Sequence, residues 1–198
     1  MLNEGCHDVP DGMLAMVVTH LEMRAQVAPR PVPQPEGVEL RFHEKPDVDW
    51  YRALFRQIGA EEWLWFSRLR LSRDALEKIL HHPDVALFSG ERDGESLGLL
   101  ELDFRQEGEC ELVFFGLAPP LIGGGVGRWL MNSAIEQAWS RPISRFHLHT
   151  CTLDHPSALS FYRRSGFVPF RRQVEIAADP RVVGELPESC GPHMPLIR

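Results

Sequence analysis

The sequence has no run of apolar residues close to the roughly 20 that a membrane-spanning helix needs. Its first residues contain neither the basic segment nor the apolar segment that directs secretion. With 43% hydrophobic and 25% charged residues, the 198-residue chain can form one globular domain around a hydrophobic core. We therefore expect a cytoplasmic protein that does not enter a membrane.

Cysteine is scarce, and its spacing argues against the common cysteine-based sites. The four cysteines include no CxxC pair, which favours reduced thiols over a disulfide framework or a zinc site. His147 and His149 would face the same side of a strand, but no third ligand has a confirming spacing, so no metal is predicted. The net charge of −7 argues against nonspecific binding to nucleic acid, which requires a basic patch. It is compatible with a cationic substrate.

Composition divides the chain into three parts, which we predict to be residues 1–37, 38–178 and 179–198. In the first part, a proline-rich linker follows an arm whose valine and threonine run favours a strand at residues 13–23. The second part reads as a strand, two helices, three strands joined by tight turns, and then helix, strand, helix and strand. The third part is rich in proline and should be irregular.

Four glycines occupy positions 123–127 around a single valine, and an apolar segment with helical spacing follows them. Two nucleotide-binding loops can be excluded. A GxGxxG fingerprint starting at Gly123 would need glycine where Arg128 stands, and a GxxxxGK[ST] loop needs a Gly-Lys pair that the region lacks. What remains is an anion site, in which backbone amides and the positive end of a helix dipole would suit a pyrophosphate.

A second motif, HPSALSFYRRSGF at residues 155–167, follows about thirty residues later. Together the two motifs resemble the PxxxGxGxG loop and the AxxFYxxxGF segment of the GNAT superfamily of N-acetyltransferases, and the resemblance covers residues 38–177. It implies an α/β fold with a mixed, centrally splayed sheet of six to seven strands flanked by helices. It also implies an enzyme that transfers acetyl directly from acetyl-CoA to an amine.

The resemblance further implies which residues hold acetyl-CoA as the cosubstrate. These are Leu117, Ile122, Gly123, Gly124, Gly125, Val126, Gly127, Arg128, His155, Ser157, Ala158 and Tyr162. The loop amides would hold the pyrophosphate, the backbone of Leu117 would bind the pantetheine arm, and His155 would cap the helix or shape the cleft. Ile122 departs from the family, which usually has Gln or Arg there, and this removes a side-chain contact. Candidates to replace the charge are Arg128, Arg163 and Arg164.

Acetyl transfer needs a neutral amine, a stabilised oxyanion and a proton for the departing thiolate. Tyr162 matches the tyrosine that the family places beside the sulfur, and a phenol is protonated at neutral pH. Glu111 is the predicted base, because its even spacing from Phe115 and Leu117 would put all three on the face that leads to the thioester. Other bases remain open: Glu101, Glu62 or a water relay. A backbone amide of residues 109–117 would donate a hydrogen bond to the oxyanion.

The acceptor is not identified by the sequence. Trp63, Phe66 and Phe115 are the predicted substrate-binding residues, accompanied by Trp65 and Phe114, although the same side chains could be buried core. Small amines and protein amines both stay open, and so does a longer acyl group. The alternative to an enzyme is a non-catalytic acyl-CoA sensor with the same fold. A homodimer involving the tail and the arm is a further possibility.

Overall fold

A computed structural model describes residues 3–198 of the chain. Seven strands form one sheet: β1 (Met13–Met23), β2 (Val38–His43), β3 (Val85–Arg92), β4 (Glu95–Asp103), β5 (Glu109–Leu117), β6 (Arg145–Cys151) and β7 (Val168–Ala178). The helices are α1 (Val48–Phe55), α2 (Glu61–Trp63), α3 (Arg73–Leu80), α4 (Val126–Trp139) and α5 (Ala158–Arg164). Among the described residues, no helix has the length and apolar character needed to cross a membrane.

The sheet is mixed, in the order β2-β3-β4-β5-β6-β1-β7. Strands β3 to β5 are the three predicted strands joined by tight turns, and they pair antiparallel; β2 also pairs antiparallel with β3. The turn between β3 and β4 is tight because Asp93 (φ 53°) and Gly94 (φ 79°) both adopt positive φ. Only β5 and β6 pair in parallel. The prediction of a mixed sheet flanked by helices is therefore confirmed.

The predicted strand at residues 13–23 is confirmed, and it lies inside the sheet. β1 pairs antiparallel with β6 on one side and with β7 on the other. The linker that follows β1 contacts α4 and the glycine segment. The Asn132 Nδ2 donates to the carbonyl of Arg30 at 2.7 Å. The Val32 side chain packs so closely on Gly125 that a Cβ on Gly125 would be 2.9 Å from it. The start of the chain therefore supports both the sheet and the glycine segment.

The first helical segment continues beyond α1. The Asp47 carboxylate caps α1 by accepting from the amides of Asp49 and Trp50, each at 2.9 Å. A π-helical turn (Arg56–Ala60) joins α1 to α2, and the segment ends at Leu64, whose φ of 54° is left-handed. Ser72 caps α3, since its Oγ accepts from the amide of Ala75.

Two hydrophobic cores lie on opposite faces of the sheet. One contains α1, α3 and part of the tail, and the other contains α4. The tail has no helix or strand, as predicted, yet it is held firmly: the buried guanidinium of Arg181 pairs with Asp179 at 2.7 Å and donates to the carbonyls of Cys190 and Met194. This contact fixes the end of the chain against the first core.

The predicted splay is present between β5 and β6. Their parallel pairing covers only three positions, Glu109–Glu111 opposite Arg145–His147. Beyond these positions β5 continues to Leu117 and β6 to Cys151, but the two strands no longer pair with each other. The two strands therefore open a gap at the middle of the sheet.

Candidate active site

A cavity of about 420 Å³ occupies the gap between β5 and β6. Its size is within the range of small-molecule sites in proteins. One wall is the end of β5 and the glycine segment, the opposite wall is the end of β6 with α5, and the segment after α2 also lines the cavity. The predicted site residues that line it are Trp63, Phe66, Phe115, Leu117, Ile122, Gly123, Gly127, His155, Ser157, Ala158 and Tyr162.

The glycine segment forms a tight loop at the start of α4. Gly123, Gly124 and Gly125 have φ values of 100°, 54° and 84°, which only glycine adopts without strain. Within residues 3–198, no protein group accepts from the amides of Gly123, Gly124, Gly125, Gly127 or Arg128, and a Cβ at Gly123 or Gly124 would meet nothing within 4 Å. Free amides at the positive end of a helix dipole form a binding site for an anion.

The side chains that could add charge to the anion site are exposed. Ile122 is 65% exposed at the mouth of the loop, and the side chains of Arg128 and Arg163 are also exposed. Arg92 was not predicted, yet its Nη1 donates to the carbonyl of Pro120 at 3.0 Å, just before the loop. The anion site therefore depends on backbone amides, with exposed arginines around it.

Tyr162 lies in α5 and faces the cavity among aromatic rings. Its ring is 6.3 Å from that of Phe115 and 5.6 Å from that of Phe161. Burial, and then the charge of Asp154, raise the pKa of Tyr162 far above its usual value. The phenol therefore keeps its proton at neutral pH. His155 precedes the helix, and its Nδ1 accepts from the amide of Ser157 at 3.1 Å. Ser157 is itself the N-cap residue, and no side chain of the described residues caps α5, so His155 lines the cavity without capping the helix.

The prediction that Glu111, Phe115 and Leu117 share one face is wrong. The register of β5 against β4 shifts between Glu101 and Leu102, so that Glu101 faces Phe114 while Leu102 faces Leu112. This bulge inserts one extra residue into β5 and reverses the alternation beyond it. Glu111 therefore lies on the same face as Phe114, whereas Phe115 packs on the other face against Phe161 and Tyr162.

Glu111 does not line the main cavity, but its neighbour His149 does. Glu111 lines a smaller adjacent pocket, and its Oε1 is 3.5 Å from the Nδ1 of His149. Contact with the Glu111 carboxylate, which accepts from the imidazole, raises the pKa of His149 despite partial burial. The same contact lowers the pKa of Glu111. The pair places a titratable imidazole in the cavity with a carboxylate behind it.

Glu101, the alternative base, is fully buried, and both of its carboxylate oxygens have partners. The Tyr51 hydroxyl donates to its Oε2 at 2.6 Å, and Arg68 pairs with its Oε1. Burial, together with the Glu101 charge, raises the pKa of Tyr51 well above its usual value. Glu101 does not line the cavity, so it serves as the anion of a buried ion pair.

Aromatic rings line the part of the cavity next to α2. Trp63 lies between two imidazoles, with ring centroids 5.2 Å from His155 and 5.3 Å from His193 of the tail. Trp65 packs so tightly on the backbone that a Cβ at Gly59 would be 2.0 Å from its ring and one at Gly116 would be 3.2 Å away. These glycines therefore make room for an indole at the end of the cavity.

Comparison with known proteins identifies the family. Residues 48–167 match the acetyltransferase (GNAT) family model, which is more than half of the chain. The chain belongs to the GNAT acetyltransferase family. No curated protein matches the sequence.

Solved structures share the GNAT fold with this chain at low sequence identity. A GCN5-related N-acetyltransferase from Sphaerobacter thermophilus has a TM-score of 0.58 at 16% identity, over 82% of this chain and 51% of its own. For one from Kribbella flavida the TM-score is 0.55 at 17% identity, over 85% of this chain and 60% of its own. An aminoglycoside acetyltransferase from an uncultured soil metagenomic sample, in complex with sisomicin, has a TM-score of 0.51 at 15% identity, over 66% of this chain and 88% of its own. The chain thus spans little more than half the length of the first two.

Several residues of this GNAT site were not predicted. Asp154 lines the cavity, and its carboxylate accepts from Trp65 Nε1, Thr150 Oγ1 and the amide of Cys151 at 3.0, 2.7 and 2.9 Å. His149 was considered only as a metal ligand, and Glu175 of β7, which also lines the cavity, was not considered. Their positions follow from strand pairing rather than from a local motif.

Proposed function

We propose that the protein is an acetyl-CoA-dependent N-acetyltransferase that transfers acetyl directly to a primary amine. The observation that carries the proposal is one continuous cavity with free loop amides along one wall and a protonated tyrosine on the other. This arrangement fits a ligand with a pyrophosphate at one end and a reactive thioester farther in. The amides of the glycine loop would hold the pyrophosphate, and the backbone near Leu117 would hold the pantetheine arm.

The chemical roles of the side chains follow from where they line the cavity. His149 would take a proton from the ammonium form of the acceptor, because a neutral imidazole next to a carboxylate is an effective base. The free amine then attacks the thioester carbonyl, a C–N bond forms and the C–S bond breaks. Tyr162 would give its hydroxyl proton to the departing sulfur. The proton that the nitrogen still carries after attack would then pass to the Tyr162 phenolate, directly or through water, which restores the phenol and leaves a neutral amide. Glu111 would act as a positioning residue that orients and stabilises His149.

The acceptor we propose is an amine that carries an apolar or aromatic group. Trp63, Trp65, Phe66 and Phe114 supply apolar surface at the acceptor end, while the carboxylates of Asp154 and Glu175 favour a cation. A wholly polar polyamine would leave this aromatic surface without contacts. An aminoglycoside is worth including in a test, because one structural neighbour is an aminoglycoside acetyltransferase.

Thermal unfolding of the purified protein with acetyl-CoA, CoA, longer acyl-CoAs, ATP and NAD tests the cosubstrate. A ligand at 100 times its dissociation constant stabilises a protein by about 2.7 kcal/mol, which raises Tm by roughly 5–10 °C for this size of domain. We expect acetyl-CoA to give this shift and ATP and NAD to give none. The absence of a shift with every CoA ligand would contradict the proposal.

Release of CoA thiol with a panel of amines tests catalysis and the acceptor. The panel should include phenylalkylamines, apolar amino acids, a polyamine, sisomicin and peptides with free N-termini. We expect turnover to be fastest with the phenylalkylamines. Acetyl-CoA binding without turnover on any of these amines would instead favour a non-catalytic acyl-CoA sensor, for which the exposed Ile122 in the loop is the supporting feature.

A further inference from the structure

β7 is an edge strand, and one half of it has neither a proline nor a bulge to prevent pairing with another strand. Residues 168–176 are all exposed, including Val174 and Ile176 at 48% and 51%. Natural edge strands are usually protected by proline, bulges or charges. Here Pro169 and the bulge between His20 and Leu21 of β1 lie at the start of β7, and residues 171–178 pair regularly with β1. The carbonyl of Ala178 accepts from Arg70 Nη2 at 2.7 Å, whereas the outer backbone edge of residues 171–177 has no partner within residues 3–198.

The charged residues on this half of β7 form no ion pairs in the chain. Within residues 3–198, neither Arg171, Arg172 nor Glu175 forms a salt bridge, although all three are exposed. Alternation puts Arg171, Gln173 and Glu175 on one face of the sheet. The spacing is symmetric, because opposite charges stand at equal distances on either side of Gln173.

We propose that β7 pairs antiparallel with β7 of a second copy of this chain, about a two-fold axis at Gln173. In a two-fold interface the same surface contacts itself, so each residue faces the one at the same distance beyond the axis. Arg171 then faces the partner's Glu175, and Glu175 faces the partner's Arg171. Two cross-strand ion pairs form, and the two seven-stranded sheets become continuous.

Other registers of the same pairing are less favourable. An axis at Arg171 or at Arg172 would set two arginines face to face, and an axis at Glu175 would do the same with two carboxylates. Like charges directly opposite each other on neighbouring strands are destabilising. An axis at Val174 avoids such contacts but leaves both arginines opposite apolar residues. Only the axis at Gln173 pairs opposite charges, so the sequence of β7 selects one register.

Apolar residues on the other face of β7 support the same interface. Val17 of β1 stands opposite Val174 in the register, and with Ile176 these side chains form an exposed apolar patch. Around the axis, the stem of the partner's Arg172 would cover Val174 and remove part of this patch from water. Apolar contact and charge pairing therefore favour the same partner, a second copy of this chain.

The interface would also affect the main cavity. Glu175 lines the cavity from β7, and its charge is one of the influences that raise the pKa of His149. The partner's Arg171 would neutralise this carboxylate at the edge of the cavity. The inference about pairing does not depend on the proposed reaction, because it rests on the edge strand alone.

The oligomeric state and a charge swap test the interface. We expect light scattering after size exclusion to give twice the chain mass for the unaltered protein at tens of micromolar. Arg171→Glu places two carboxylates opposite each other in both pairs and should weaken the dimer by about 30-fold, judged from typical cross-strand pair energies. The double variant Arg171→Glu with Glu175→Arg restores both pairs in reverse and should restore the dimer.

A matched control changes the same charge on the opposite edge of the sheet. Arg41 is an exposed residue of the edge strand β2, and Arg41→Glu should leave the dimer intact. A monomer at these concentrations would overturn the proposal. So would a dimer that Arg171→Glu does not weaken, or a weakened dimer that the double variant does not restore while its circular dichroism matches that of the unaltered protein.

Discussion

Trp65 and Asp154 join the two walls of the cavity through one hydrogen bond, in which the indole Nε1 donates to the carboxylate Oδ1 at 3.0 Å. Trp65 follows α2 on the wall of the first core, and Asp154 follows β6 across the gap. Because the two strands between them do not pair at this level, this bond and the packing of the indole on Gly116 hold the gap at a fixed width.

Replacing Trp65 by Phe should therefore lower the free energy of unfolding by about 2 kcal/mol, the typical contribution of a hydrogen bond to a charged group. Urea denaturation measures this change. Trp139→Phe is the matched control, because the buried Nε1 of Trp139 has no partner among the described residues. An equal loss for both variants would mean that ring volume matters and the bond to Asp154 does not.

The sequence predicted the parts of the site that lie within short motifs. The glycine loop, Tyr162 and His155 line the cavity because each is set by a turn or helix whose signals are a few residues away. The contacts between distant elements were not predictable in this way. Asp154 is 89 residues from Trp65, and His149 meets Glu111 only because three pairs fix the register of β5 against β6.

Two further differences have the same physical origin. The bulge at Glu101 and Leu102 depends on how β4 and β5 pair, so regular alternation gave the wrong face for Glu111. The apolar pattern of residues 13–23 indicated a strand but not its neighbours, and the structure places it between β6 and β7. Local patterns thus predicted each element, whereas pairing decided which side chains meet.

Gly123→Ala should weaken acetyl-CoA binding by at least tenfold. At a φ of 100° an alanine is strained, so the loop would shift and misalign the amides that hold the anion. Isothermal titration measures the affinity. Gly94→Ala is the matched control, since it places an alanine at a φ of 79° with open space around it, in the turn between β3 and β4. Both variants should lose about 1 kcal/mol of stability, but weakened binding in both would indicate a general effect of strain.

Ile122→Arg should tighten acetyl-CoA binding by about fivefold. The side chain is 65% exposed at the mouth of the loop, so an arginine fits without repacking and adds a charge-assisted contact to phosphate. The gain should shrink as salt is added, because exposed charges are screened. Ile197→Arg, at another exposed position, should leave the affinity unchanged. Equal gains in both variants would reflect net charge alone.

Tyr162→Phe should lower kcat by about 100-fold, the usual contribution of a general acid, while the dissociation constant of acetyl-CoA stays within twofold. Stopped-flow or steady-state thiol release measures kcat. The other tyrosine of the chain supplies the control: Tyr51→Phe removes a hydroxyl that is bonded to Glu101 outside the cavity, so it should cost stability but not turnover in the folded protein. An unchanged kcat for Tyr162→Phe would exclude Tyr162 as the general acid.

The pH dependence of kcat/KM should report the pairing of Glu111 with His149. A protonated imidazole cannot accept a proton, so the rate rises as pH passes the pKa of His149. Glu111 raises this pKa, which sets the rise at higher pH than for an isolated histidine. In Glu111→Gln the carboxylate is gone, the pKa of His149 falls, and the rise should move to lower pH.

Glu109→Gln provides a matched control for this prediction. Glu109 lies two residues earlier on β5 and pairs with His147 at 3.3 Å and with Arg145 at 3.2 Å, not with His149. Loss of the Glu109 carboxylate should leave the rise in kcat/KM at the same pH, because Glu111 has the largest influence on the pKa of His149. A profile that moves equally in both variants would show only the effect of removing negative charge. A profile unmoved by Glu111→Gln, together with full activity of His149→Gln, would show that neither residue serves the base and that water removes the proton.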